Sequence, residues 1–198
     1  MSEGFQRRRG GGAVATMSGF EADLLRSLAS QLVELLRDEA GVPTTEVDPF
    51  EALLDFSGPS TVPEDPVLAR LLPSAYREDD EAAAEFRRFT ETELRNSKAS
   101  SAATVVTVLE EAGLPPEVGD PASTTGLVID VEIGPAEVLA FLKALTDMRL
   151  AVATRLDLQE GDEEFWDSLP DDDPRSHMHD IYEWLGYLQE TLVGAAKP

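Results

Sequence analysis

Arg149 holds the position in this sequence that most needs a chemical explanation. It follows Leu145 by four residues and precedes Val152 by three, so helical spacing puts it on an apolar face. A guanidinium there needs a carboxylate or a route to solvent, because an unpaired buried charge is prohibitive. Glu91, Asp180, Glu183 and Glu190 are its candidate partners, and Arg155 lies further along the same helix. Arg149, Arg155, Asp180 and Glu183 therefore form a candidate group with two readings: a structural ion pair in the core, or an anchor for an anionic ligand.

A second constellation is His177 and His179 beside Asp171, Asp172, Asp173 and Asp180. Imidazoles with carboxylates suit zinc or manganese. Residues at i and i+2 do not share a helix face, however, so the spacing argues against a metal site. Nucleophilic catalysis has no candidate: the chain has no cysteine and two histidines, and neither Gly-x-Ser-x-Gly nor His-Glu-x-x-His occurs. The expectation is a protein that is not an enzyme and takes no metal or cofactor. Zero cysteines also excludes disulfides and thiol switches within the sequence.

Net charge is −23, with 16 basic and 39 acidic groups. Binding nucleic acid requires cations to displace its counterions, so a chain this acidic needs a local basic patch to touch DNA. Arg7, Arg8 and Arg9 are the candidate, with Arg87, Arg88, Arg95 and Lys98 as possible helpers. Direct DNA binding is thus weakly supported, and a basic protein partner fits better. No apolar run is long enough for a membrane span, and no apolar h-region follows the arginines. A cytoplasmic location is expected.

The elements that must position these residues read as mostly α with a small antiparallel sheet: one domain, a helical bundle of about six helices. Phe5–Arg9 and Ala13–Met17 flank Gly10–Gly12 as a β-hairpin. Ser18 and Glu21 form a capping box before a helix to Asp38, with Leu24, Leu25, Leu28, Leu32, Leu35 and Leu36 at core spacing. Pro49–Phe56 reads as a short helix. Asp79–Phe89 and Thr90–Ala112 read as two helices or one with a kink, Thr90 and Glu93 offering a second capping box. Alternation over Gly126–Ile133 predicts a strand joining the hairpin. Pro135 opens a helix to about Leu158, and Pro174 another to about Gly194. Between them, residues 157–173 hold nine carboxylates and no basic group, a solvated loop carrying Phe165 and Trp166. Those aromatics are either an interface anchor or a cap folded against the last helix.

The segment Pro63–Arg77 combines two proline corners, an apolar run and two arginines. Pro66 suits the first helical turn and Pro73 ends the helix. Val67, Leu68, Leu71 and Leu72 demand burial, leaving Glu64, Asp65, Arg70, Tyr76 and Arg77 as candidate contact residues. This segment, together with Met148–Leu156 and Tyr182–Val193, resembles an actinobacterial family of unknown function whose genes commonly neighbour that of the Clp-protease adaptor ClpS. One branch of that family resembles the oxidative-stress transcription regulators of the AosR type. The resemblance covers about residues 5–194.

The resemblance implies a regulator that works with a sigma factor and senses oxidants through a Cys-x-x-x-Cys pair. A chain without cysteine cannot carry that switch. Oxidation of Met17, Met148 or Met178 is the chemical substitute that remains. The expected function is transcription regulation in stress response through contacts with RNA polymerase or a sigma factor. Alternatives are modulation of Clp-dependent proteolysis and small-molecule sensing. Arg7–Arg9, the 63–77 segment and Trp166 are the candidate interaction residues.

Overall fold

The computed structural model describes residues 3–38, 59–116, 124–170 and 172–197. The short helix expected over Pro49–Phe56 lies outside them. Three strands and six helices are found among the described residues.

The hairpin forms as its glycines predict. β1 (Gln6–Arg7) pairs antiparallel with β2 (Ala13–Ser18), and β2 pairs antiparallel with β3 (Val128–Ile133), so β2 is the central strand. Ala13, Ala15 and Met17 of β2 face the core with Ile129, Val131 and Ile133 of β3. The outer face carries charges instead. Thr16 Oγ1 donates to Asp130 at 2.7 Å, and Arg8 pairs with Glu132 at 2.6 Å. Gly12 has φ +79°, and a Cβ built there would meet the Ile133 carbonyl oxygen at 2.1 Å. Only glycine lets the two strands meet at that corner.

Ser18 leads directly into α1 (Gly19–Asp38). Its hydroxyl accepts from the Glu21 amide at 3.3 Å, while the Glu21 carboxylate accepts from the Ser18 amide at 2.9 Å, closing the expected box. α2 (Pro66–Leu71) begins with proline in its first turn, and Asp65 caps it by accepting from the amides of Val67 and Leu68.

Of the two alternatives for the stretch after it, a single helix is the one formed: α3 (Asp80–Glu111) runs for 32 residues, ~48 Å at 1.5 Å per residue. Asp79 supplies its cap. Thr90 does not restart the helix; its hydroxyl donates to the Phe86 carbonyl at 2.9 Å, one turn back, so the second capping box is not made.

α4 (Val138–Leu156) follows a turn in which the Gly134 amide donates to Glu137, and it ends with Asp157 in the left-handed region. The acidic stretch is not all loop, since α5 (Glu163–Asp167) forms within it. α6 (Pro174–Ala196) is capped by Asp173.

Packing runs in sequence around a bundle: α1 lies against α3, α3 against α4, and α4 against α6, with α2 laid on α4. Leu25, Leu32 and Leu36 of α1, Leu109, Leu145, Met148, Leu185 and Leu188 fill its interior. The remaining side, between α1 and α6, is a cleft. The tail of α6 also ties down the start of the chain: the Gly4 amide donates to the Tyr187 hydroxyl at 3.0 Å, and the Phe5 amide to Thr191 Oγ1 at 3.1 Å.

Candidate functional site

Arg149 sits on α4 as its spacing predicts, but a carboxylate is not its answer. Its guanidinium lies 4.6 Å from the centroid of the Tyr182 ring on α6, and Nη1 donates to Gln189 Oε1 at 3.2 Å. Gln189 in turn donates to Thr146 Oγ1 at 2.7 Å, linking the two helices. Gly186 leaves room for this, because a Cβ there would stand 3.1 Å from the guanidinium carbon. Asp180, Glu183 and Glu190 point to solvent. A cation over an aromatic face is a different solution to the same electrostatic demand.

Glu91 has other partners. It lies on α3 between Arg87 and Arg95, one turn from each, and all three are buried, Glu91 to 3% exposure. Arg87 Nη1 donates to Glu91 Oε2, and Arg95 Nε and Nη2 each lie 2.8 Å from Glu91 Oε1. The spare donors reach the ends of neighbouring helices: Arg87 Nη2 to the Leu72 carbonyl at 3.2 Å, and Arg95 Nη1 to the Leu36 carbonyl at 3.4 Å. Leu36 is in the last turn of α1 and Leu72 caps α2, where carbonyls lack intrahelical partners. Arg87 and Arg95 are thus internal struts and do not contribute to a basic surface patch. Lys98 is also engaged, with Asp147 of α4 at 2.7 Å.

Arg26 is a further buried arginine, wholly enclosed within α1's packed face. It donates to Asp23 at 2.5 Å and to the Pro115 carbonyl.

The segment Pro63–Arg77 docks through Val67, Leu68, Leu71 and Leu72, all buried. Asp65 bonds Arg155 at 2.7 Å in addition to its cap. Burial works against ionisation of its carboxyl, but the Arg155 hydrogen bond and the Leu68 and Val67 amides outweigh it and hold the group below its ordinary value. Glu64, Arg70, Tyr76 and Arg77 are exposed. Tyr76 meets Phe86 edge-on at 6.0 Å, and Phe86 and Phe89 are themselves exposed, so an aromatic shelf lies near the start of α3, with Arg77 next to Tyr76 in the chain. Arg7, Arg8 and Arg9 are exposed around the hairpin.

Trp166 resolves in favour of the folded-back alternative. It is 8% exposed and stacks on His179 at 5.1 Å with ring planes 3° apart. His179 then leans on Tyr182 at 6.2 Å, and Arg175 lies 5.7 Å from the Phe165 centroid. Trp166 is therefore part of the packing between α5 and α6, while Phe165 remains exposed. His177 is exposed and does not share His179's stack; among the described residues no group of three or more metal-ligating side chains gathers.

Sequence spacing overstated how much of α1 enters the core. Leu24, Leu28 and Leu35 are only half-buried and, with the 71%-exposed Phe20, line the cleft facing α6. One end of that cleft is bounded by Phe20, Glu21, Leu24, Ile181, Trp184 and Tyr187, with Asp180 and Glu183 at its lip, and encloses ≈ 710 Å³. A second cavity, ≈ 380 Å³, lies one turn further along α1 and is bounded by Leu28, Leu35, Val67, Met148, Arg155 and Met178, among others. Of the candidate oxidisable thioethers, Met17 and Met148 are buried, whereas Met178 is half-buried on this wall. No helix among the described residues is long and apolar enough to cross a membrane.

The chain is similar to mycobacterial proteins named for oxidative stress regulation. It shares 27% identity over 194 residues with the "Oxidative stress regulator AosR" of Mycobacterium tuberculosis, covering 90% of this chain and 79% of that protein. The same figures hold for the protein of that name from Mycobacterium bovis. Identity is 30% over 187 residues with a Mycobacterium leprae protein that also carries the AosR name, covering 87% and 77% of the two chains. No solved structure matches it. A family described as a domain of unknown function, DUF2017, matches residues 2–196, and the chain belongs to that family.

Proposed function

We propose that this protein is a non-enzymatic regulator of transcription in stress response that acts through protein contacts, with RNA polymerase or a sigma factor as the partner. The observation that carries the reading is the similarity, along nine-tenths of the chain, to proteins named oxidative stress regulators. A charge of −23 favours a basic protein surface over DNA as the first contact. The exposed shelf of Tyr76, Phe86 and Phe89 with Arg77 is the surface for that contact, since aromatic and arginine side chains dominate binding hot spots. Arg7, Arg8 and Arg9 form the arm that reaches any neighbouring nucleic acid.

The test is capture of polymerase and sigma factors from a mycobacterial lysate by the tagged protein, with low-salt and moderate-salt washes compared. Recovery of a sigma factor or polymerase that survives moderate salt, and its loss with Tyr76→Ala plus Arg77→Ala, is the expected result. Recovery of Clp components without transcription machinery would overturn the reading in favour of proteolysis. Arg7, Arg8 and Arg9 replaced together by alanine should weaken promoter or polymerase association while leaving the melting temperature unchanged; unchanged association removes the arm.

A further inference from the structure

We infer that the cleft between α1 and α6 is a docking groove for a basic amphipathic helix supplied by a partner protein. The inference does not depend on the regulatory reading, because it rests on the shape and charge of a different set of surface residues.

The argument begins with α1. Its packed stripe is Ala22, Leu25, Ala29, Leu32 and Leu36, all buried. A second stripe, Phe20, Leu24, Leu28 and Leu35, runs beside it at helical spacing and is left half-buried or exposed. An apolar arc that wide exceeds what contact with α3 covers. α6 repeats the pattern on the opposite wall with Met178, Ile181, Trp184 and Tyr187. Phe20 and Leu24 face the 180–187 end of α6, whereas Leu28 and Leu35 face Met178, so the two walls run antiparallel. Along the Leu28–Leu35 part the floor between them is Met148, Ala151 and Val152 of α4. From Phe20 to Leu35 the wall is ~22 Å long, the length of about four helical turns. Two facing apolar walls over an apolar floor are the form in which a helix is received, its i, i+3, i+4 and i+7 side chains pointing down.

Charge decides which helix. Glu21, Asp180 and Glu183 stand at the wide end, and among the described residues no lysine or arginine lines it. At the other end Glu34 and Arg155 both line the cavity, and the charge of Arg155 is already answered by Asp65 at 2.7 Å. An incoming helix with lysine or arginine beside its apolar stripe meets complementary potential along the rim, whereas an acidic helix is repelled.

The probe is an 18-residue peptide of leucine and lysine with leucines at helical spacing, compared with a peptide of the same composition in scrambled order. The full chain carrying Trp166→Phe is used, so that Trp184 on the groove wall reports binding by fluorescence. The patterned peptide should bind at least tenfold more tightly than the scrambled one. Phe20→Ser should weaken it at least tenfold, and Asp180→Lys with Glu183→Lys should weaken it and flatten its dependence on salt. Both changes lie on exposed positions, and an unchanged circular dichroism melt verifies the fold. Equal affinity for the two peptides, or undiminished affinity in these variants, overturns the inference. It also falls if sedimentation reveals a dimer that Phe20→Ser splits, or if the peptide binds only after residues 39–58 are replaced by a glycine–serine linker. The groove would then belong to a second copy or to this chain itself.

Discussion

Arg87, Glu91 and Arg95 lie beneath the surface of α3, whereas Phe20, Leu24 and Tyr187 lie on the surface of α1 and α6. One region closes charge away from water; the other leaves hydrocarbon facing it. The difference separates what builds the fold from what is left over for use. The buried arginines are saturated by a shared carboxylate and by the carbonyl ends of α1 and α2, so they hold three helices in one relation. The cleft makes no comparable demand on the fold, because the bundle already packs along its other three sides.

The largest expected effect tests the closed region. Glu91→Ala strands two buried guanidinium groups and should cost about 3–5 kcal/mol, read from urea unfolding. A loss below about 1 kcal/mol would show that water reaches those arginines and would erase the contrast. Next comes the start of α1: Ser18→Ala removes a made capping box and should cost about 1 kcal/mol. Thr90→Ala, at the box that is not made, should stay within about 0.5 kcal/mol. A comparable loss at both sites would mean that Thr90 has a role beyond its bond to Phe86. Phe20→Ser sharpens the other side of the contrast, with stability expected within about 0.5 kcal/mol of the parent because the side chain packs on little. A drop of several kcal/mol would return Phe20 to the core.

The smallest effect is one of pH. The hydrogen bond from Arg175, with the Arg175 amide, holds the Asp173 carboxyl at about 2 rather than 3.8. Its folded value lies below its unfolded one, so its contribution is complete above about pH 4 and is lost as pH falls through about 2. The melting-temperature difference between the parent and Asp173→Asn should therefore shrink from pH 5 to pH 2. A constant difference would remove the carboxylate's charge from the account.

The legible parts of the molecule were those governed by neighbours in sequence. The Ser18–Glu21 box, the glycine hairpin, the alternation over 128–133 and the start of α2 at Pro66 are all decided within a few residues. The buried charges were not, because the burial of Arg87 and Arg95 depends on where α1 and α2 end. A signal was nevertheless present: Ala83, Arg87, Glu91, Arg95, Ala99 and Ala102 form one helical stripe, with alanines at both ends of the charges. Arg26 likewise stands between Ala22 and Ala29. Small residues flanking a charge on one face leave room for a neighbouring element to pack close over its stem. Arg149 shows the opposite limit. Its face was legible, but the choice of Tyr182 and Gln189 over a carboxylate depends on Gly186, a residue 37 positions away.

The tie between Gly4, Phe5 and α6 has a consequence for how the chain is made. β2 finds β3 only after more than a hundred further residues have been synthesised, and the amides of Gly4 and Phe5 find Tyr187 and Thr191 later still. On the ribosome the first strands and the two apolar stripes of α1 are made well before β3 and α6. Contacts this distant in sequence close slowly, and an uncovered hydrophobic helix during that delay is the feature that chaperones recognise. The clasp at the hairpin can therefore shut only after α6 has been made, and until then the apolar faces of β2 and α1 lack the partners that cover them in the folded chain.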